Sequence, residues 1–213
     1  MRIIDCEQGS DEWLKHRAGK VTASRVADII RKTKTGISAS RNTYLGELVA
    51  ERLSGQPTPT FKSKPMEWGS ETEAEARAFY AFMNDVDPVR VGLVLHPAIE
   101  MAAASPDSLV AEDGMIEIKC PNSATHIRTL LGAEIEPDYL TQIQWQFACT
   151  GRKWCDFISY DPRMSEDMRM HTVRIHRDLD RITELEREVV KFLYEVDNTI
   201  SKLLAKYRPL VAA

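Results

Sequence analysis

The chain has 213 residues, 43% of them hydrophobic and 28% charged, with a formal net charge of −4. A sequence of this size can bury a normal core without disulfides or a structural metal, and its apolar runs stop far short of the ~20 residues a membrane helix needs. The polar start, MRIIDCEQGSDEW, predicts no secretory signal and an intracellular protein.

Cys6, Cys120, Cys149 and Cys155 form no CxxC pair. That spacing argues against a zinc ribbon or an iron–sulfur cluster and predicts buried, reduced thiols. The net charge is unevenly spread: residues 1–64 hold 12 Lys/Arg against 7 Asp/Glu, a balance of +5, and the remainder holds 16 against 25, a balance of −9. Phosphate contacts require a local basic surface rather than a basic whole. The acidic remainder suits carboxylates that collect divalent metal.

In chain order, Ser10 followed by Asp11 and Glu12 predicts an N-capped helix through Trp13, Leu14 and Arg17, broken at Gly19. Thr22 or Ser24 caps a second helix carrying Val26, Ile29 and Ile30. Residues 31–42, RKTKTGISASRN, are basic, small and unpatterned, and predict a mobile loop. A third helix is expected from about Thr43 to Leu53, then a linker-like QPTPTFKSKP, then a helix from about Glu67 to Met83 with one buried face. The period then shortens. VRVGLVL (89–95), MAAAS (101–105) and SLVAEDGMIEIK (108–119) predict strands, the last a hairpin turning at Asp113-Gly114. A helix from about Asp138 to Thr150, strands at 154–160 and 171–176, and a long helix from about Leu179 to Lys206 complete the chain. Strands enclosed by helices predict an α/β or α+β domain with a mixed central sheet.

The segment SPDSLVAEDGMIEIKCP (105–121) carries the chemistry. Glu117 and Lys119 alternate with Ile118 on a strand, so they share a face while Ile118 points into the core. The hairpin brings Asp107 across to that face. Two carboxylates and an amine then converge, a set that can hold Mg²⁺, polarise a phosphoryl oxygen and lower the pKa of a bound water. Lys119 can orient or deprotonate that water if nearby metal depresses its own pKa, and the Ile118 carbonyl can add a ligand. Taken alone, ExK on a strand is very common and far more often a solvated charged face than a catalytic one.

Five blocks in the same order resemble the phage lambda exonuclease and YqaJ-type viral recombinase group of PD-(D/E)XK nucleases: EQGSDEWLKHRAGKVTAS (7–24), EWGSETEAEAR (67–77), ASPDSL (104–109), EIKCP (117–121) and YLTQIQWQFACTGRKWCDFISYDPRM (139–164). The first and last are the specific ones. The resemblance covers roughly residues 6–165 and implies a restriction-endonuclease-like core. With the C-terminal part, which resembles little, the chain is expected to be a single nuclease domain over 1–213. Its parts would be an end-binding helical region (1–64), a catalytic core (65–165) and a C-terminal strand and long helix (166–213). It implies metal ligation by Glu73, Asp107, Glu117 and the Ile118 carbonyl, with Lys119 catalytic and Gln142 supporting the site. Arg17, Ser24 and Ser105 match residues that grip a terminal 5′-phosphate. Trp13 can pack by the terminal nucleotide or serve the core. Met66 matches an apolar wedge between base pairs, and Lys34 a side chain in the minor groove.

The activity so implied is a Mg²⁺-dependent 5′→3′ exonuclease, Mn²⁺ substituting, with two ions per site. It would act on linear double-stranded DNA as a ring-shaped homotrimer, with a phage single-strand annealing protein as partner. The setting would be the cytoplasm of a bacterial host, with a phage or prophage gene. The alternatives are an endonuclease of the same fold in restriction or repair, and a catalytically silent DNA-binding protein.

Overall fold

The computed structural model describes residues 1–33, 36–59 and 64–207, without the side chains of 64–66 and 70. The strands are β1 (Arg2–Ile4), β2 (Val21–Thr22), β3 (Lys32–Thr33), β4 (Gly36–Ile37), β5 (Leu93–Leu95), β6 (Ala102–Ala104), β7 (Ser108–Val110), β8 (Gly114–Lys119), β9 (Trp154–Tyr160) and β10 (Met170–His176). The helices are α1 (Asp11–Arg17), α2 (Val26–Ile30), α3 (Ala39–Ser54), α4 (Lys64–Asn84), α5 (Ser123–Leu130), α6 (Pro137–Thr150) and α7 (Leu179–Tyr207), with a 3₁₀ turn at Ala23–Arg25. Among the described residues no helix is long and apolar enough to cross a membrane.

The expected mixed sheet flanked by helices is present, divided into two four-stranded sheets ordered β10-β9-β8-β7 and β1-β5-β6-β2. Each is mixed: β8 runs parallel to β9 and β2 parallel to β6, while the other pairs are antiparallel. The parallel β8–β9 pair forces a crossover, which α5 and α6 supply. Alternation along β8 then divides the core. Ile116 and Ile118 join Ala76 and Tyr80 of α4 on one face. Met115 joins Trp145 and Phe147 of α6 on the other. That second cluster extends to α7, whose Ile182, Leu185, Val189, Phe192, Leu193 and Val196 form one buried stripe. At about 1.5–3 kcal/mol for each fully buried large apolar side chain, the stripe is enough to dock the helix.

Several expectations shift. The hairpin turn is Ala111–Asp113, with Ala111 at φ +46°, because Val110 already pairs with Gly114. Gly114 is required for a different reason: the Trp154 ring lies where a Cβ would stand. The supposed loop at 31–42 holds the small β3–β4 hairpin and the first turn of α3, which Ser38 caps by accepting from the Arg41 amide. Helix α5 was not anticipated, nor were β1 and β2. Cys149 and Cys155 are buried as expected, but Cys6 and Cys120 are half-exposed; all four are free thiols.

Candidate active site

Hairpin register places Asp107 next to the pair Ser108–Ile116, opposite Glu117, on the face that α6 covers. The Ile118 amide donates to Asp107 Oδ2 at 2.6 Å, locking that carboxylate against β8. Glu117 is 1% exposed, and its charge is held by donors from two elements. Lys119 Nζ and Gln142 Nε2 each donate to Oε1 at 2.6 Å, and Gln146 Nε2 donates to Oε2 at 2.6 Å. Gln142 and Gln146 lie one turn apart on α6, so both reach the same strand residue. Lys119 also lies 4.8 Å from the centre of the Tyr139 ring.

The electrostatics are unbalanced toward negative. Burial, followed by Glu117 and Glu73, pushes the Asp107 carboxyl well above its ordinary range, against the opposing pull of Lys119. Burial alone would favour a neutral Lys119, yet the Glu117 and Asp107 carboxylates outweigh it and raise its pKa. The protein alone therefore holds Lys119 as an ammonium, a donor rather than a base.

Beside these residues α1 and the 3₁₀ turn present a cationic wall. The Arg17 guanidinium lies 3.9 Å from the Trp13 ring centre and donates to Thr22 Oγ1 at 3.2 Å. Among the described residues it has no carboxylate in ion-pair contact, and burial lowers its pKa. The Trp13 indole N–H donates to Ser105 Oγ at 3.0 Å, leaving the Ser105 hydroxyl proton for another acceptor. Gly19, at φ +73°, reverses the chain after α1, its amide donating to Glu51 and its carbonyl accepting from Arg52 on α3. That clasp fixes Arg17 relative to Thr22.

Both sets line one cavity of about 160 Å³, formed by Gln8, Trp13, Arg17, Ala23, Ser24, Ser105, Asp107, Glu117, Lys119 and Gln142. Eight of the residues singled out in the sequence meet there. Glu73 does not line it; its carboxylate pairs with Arg77, whose Nε donates to Ser108 Oγ at 2.9 Å. Lys34 and the Met66 side chain lie outside the described residues. Gln8, Arg77 and Gln146 were missed. Gln8 braces the wall by donating to the carbonyls of Val91 and Pro106 at 2.8 and 2.9 Å. Gln146 carried a legible signal, a second glutamine one turn after Gln142 on a helix otherwise buried.

Among the described residues no three His, Cys, Asp or Glu side chains form a ready metal cage. The donor chemistry nonetheless fits a divalent cation. Asp107 and Glu117 are hard oxygen donors, and burial together with the neighbouring carboxylates raises the Asp107 pKa, so a cation placed beside it would favour its ionised form.

The YqaJ-like viral recombinase domain model matches residues 12–153. Among solved structures, LHK-Exo, an alkaline exonuclease from Laribacter hongkongensis, is 46% identical, with 95% of this chain and 100% of that one covered; the TM-score is 0.88 for its complex with dAMP and 0.87 for a second structure. A phage-related exonuclease from Haemophilus somnus 129PT shares the fold at 17% identity and TM-score 0.66, covering 86% of this chain and 96% of that one. Protein R354 of Acanthamoeba polyphaga mimivirus is 27% identical over 205 residues, 87% of this chain; the chain spans only 35% of that relative's length. The family and the structural neighbours together support a nuclease role in recombination. With more than half of its sequence matched, the chain belongs to the YqaJ-like viral recombinase domain family.

Proposed function

We propose that the chain is a metal-dependent 5′→3′ exonuclease that digests one strand of linear duplex DNA from a 5′-phosphorylated end, leaving a 3′ overhang for phage-type recombination. The observation that carries this reading is the shared cavity, where an unpaired guanidinium and two serines adjoin two carboxylates and an amine. Arg17 would fork onto the terminal phosphate, with Ser24 and Ser105 donating their hydroxyl protons. Lys119, as an ammonium, would orient the attacking water and stabilise charge developing on the scissile phosphate. Gln142 keeps Glu117 in place beside it. Asp107, Glu117 and the Ile118 carbonyl would hold Mg²⁺ or Mn²⁺, with Glu73 joining for a two-ion site if it leaves Arg77. Such ions supply Lewis-acid polarisation of the phosphoryl oxygen. By family resemblance the proposal extends to a homotrimeric ring around the duplex, a single-strand annealing partner and the cytoplasm of a bacterial host.

An endonuclease of this fold has no need of a terminal-phosphate grip, and a silent DNA-binding protein has no need of Lys119 between two carboxylates. The deciding experiment incubates end-labelled linear duplex, with and without 5′-phosphate, beside closed circular DNA, in Mg²⁺ or chelator. Digestion of phosphorylated ends only, and only with metal, is expected. Rapid cutting of closed circles would transfer the chain to the endonucleases.

A further inference from the structure

A carboxylate offers about four lone-pair positions, and those of Glu117 are filled unequally. Oε1 takes two donors, Lys119 Nζ and Gln142 Nε2, whereas Oε2 takes one, Gln146 Nε2. Among the described residues, one lone pair of Oε2 is left. Gln146 is fully buried, and its own amide carbonyl has no hydrogen-bond partner among the described residues. Turning that amide over would set its carbonyl against the carboxylate, acceptor facing acceptor, so Glu117 alone dictates its orientation. A buried acceptor left without a donor costs folding free energy. Gln146 therefore serves Glu117 at some expense to the core.

We infer that Gln146 is a positioning residue that fixes the plane of the Glu117 carboxylate, so that Glu117 offers a divalent cation a single oxygen, Oε2. The inference rests on the metal-dependent reading above. Partners of ligating side chains commonly change metal affinity by about 10–100-fold when removed. A merely structural glutamine, by contrast, would affect stability and leave metal binding alone.

The test uses the full chain stripped with chelator, and Mn²⁺ as the probe, with free ion followed by electron paramagnetic resonance in the absence of DNA. Gln146→Met keeps similar length and apolar volume while removing both the donor and the stranded carbonyl. We expect its Mn²⁺ affinity to fall at least about tenfold, with only a modest loss of melting temperature in chelator, because removing the stranded carbonyl partly offsets the donor taken from Oε2. On phosphorylated duplex, kcat should fall while KM for DNA ends stays within about twofold, and added Mn²⁺ should restore part of kcat. Gln146→Asn, one methylene too short to reach, should behave alike and stands in if the first variant does not fold. Wild-type Mn²⁺ binding matched by either folded variant within about threefold would overturn the positioning role while leaving the metal reading intact. A wild type that binds no Mn²⁺ would instead remove the metal reading, and this inference with it.

Discussion

The two halves of the cavity are unbalanced in opposite senses. On the β7–β8 side, burial first and the neighbouring Glu117 and Glu73 carboxylates second make Asp107 resist ionising, although Lys119 and the α6 amides donate to Glu117 beside it. On the α1 side, burial lowers the Arg17 pKa, Tyr44 and Glu51 oppose it only at a distance, and no carboxylate among the described residues is in ion-pair contact. Two arginines elsewhere are answered in full: Arg174 forks onto Asp156 at 2.7 and 2.8 Å, and Arg41 onto Glu195 at 2.9 and 2.7 Å. In the cavity the imbalance stands where a ligand can supply the counter-charge. One half lacks a cation and the other an anion, which is the pair that a metal ion and a DNA phosphate would bring.

The largest expected effects break the carboxylate half. Asp107→Ala, Glu117→Ala and Lys119→Ala should each cut turnover by roughly 10²–10⁴-fold, with circular dichroism showing a folded chain. Undiminished cleavage by the Asp107 variant, or full wild-type activity in chelator, would remove the metal mechanism. Ca²⁺ should support DNA binding with little cleavage, since its loose coordination positions a water poorly.

Breaking the cationic half should cost less and show selectivity. A charge-assisted hydrogen bond is worth about 1.5–3 kcal/mol, so Arg17→Ala should slow digestion of phosphorylated ends by about 10–150-fold. On ends lacking the phosphate, Arg17→Ala and wild type should be alike. If wild type digests both kinds of end equally, the pocket is not a phosphate grip.

How much of this contrast was legible follows from what each element buries. The hairpin, Glu117, Lys119 and the α7 stripe announce themselves because alternation and helical period expose which face is core. Helix α5 is invisible to that reasoning, since its one buried residue is polar: His126 lies between Ser159 Oγ and the Met168 carbonyl, at 2.8 Å from each. The described residues of the β3–β4 hairpin are all exposed and so leave no pattern. Asp113-Gly114 was misread because a glycine signals either a turn or a close approach, and only the fold reveals Trp154 against it. Family resemblance implies a ligand role for Glu73, but in the structure its carboxylate acts on Asp107 only electrostatically and pairs with Arg77, an i,i+4 contact that a list of blocks does not reveal. The split into two sheets depends on tertiary bends that no local period encodes.

A stability measurement sharpens the comparison without any substrate. A carboxyl whose pKa is raised on folding binds more protons folded than unfolded, so stability falls as pH rises above the unfolded value of 3.8 toward the folded one. In chelator, Asp107→Asn should therefore melt at the same temperature as wild type near that lower limit and higher at neutral pH. Each pKa unit is about 1.4 kcal/mol, or roughly 3–6 °C for a chain of this size. Saturating Mn²⁺ should raise the wild type and not the variant. A variant that melts lower than wild type at neutral pH would show that Asp107 is not under strain.

The smallest effect concerns long-range grip, and here the two ends of the basic N-terminal region differ. Arg31, Lys32 and Arg41 are the other cations of the basic 31–42 segment in which the resemblance puts Lys34 on DNA, and in a ring they could face the duplex. The structure divides the described ones. Arg41 is committed to Glu195, and Arg31 to Asp138 and Asp28, whereas Lys32 is exposed on β3 with Glu188 as a weak electrostatic neighbour. A cation already paired releases few counterions when DNA arrives, because its carboxylate must first be displaced. Log K should fall with log salt by about 0.9 for each phosphate contact. Lys32→Ala should flatten that slope by nearly that amount and Arg31→Ala by much less, each leaving chemistry at the metal centre intact. Tract length under a DNA trap, run with light scattering for mass, tests the enclosure itself. A ring should digest long tracts past the trap in either variant, since threading replaces affinity. A monomer doing the same would refute the ring, and an Arg31 slope change equal to that of Lys32 would show that the internal ion pairs do not compete with DNA.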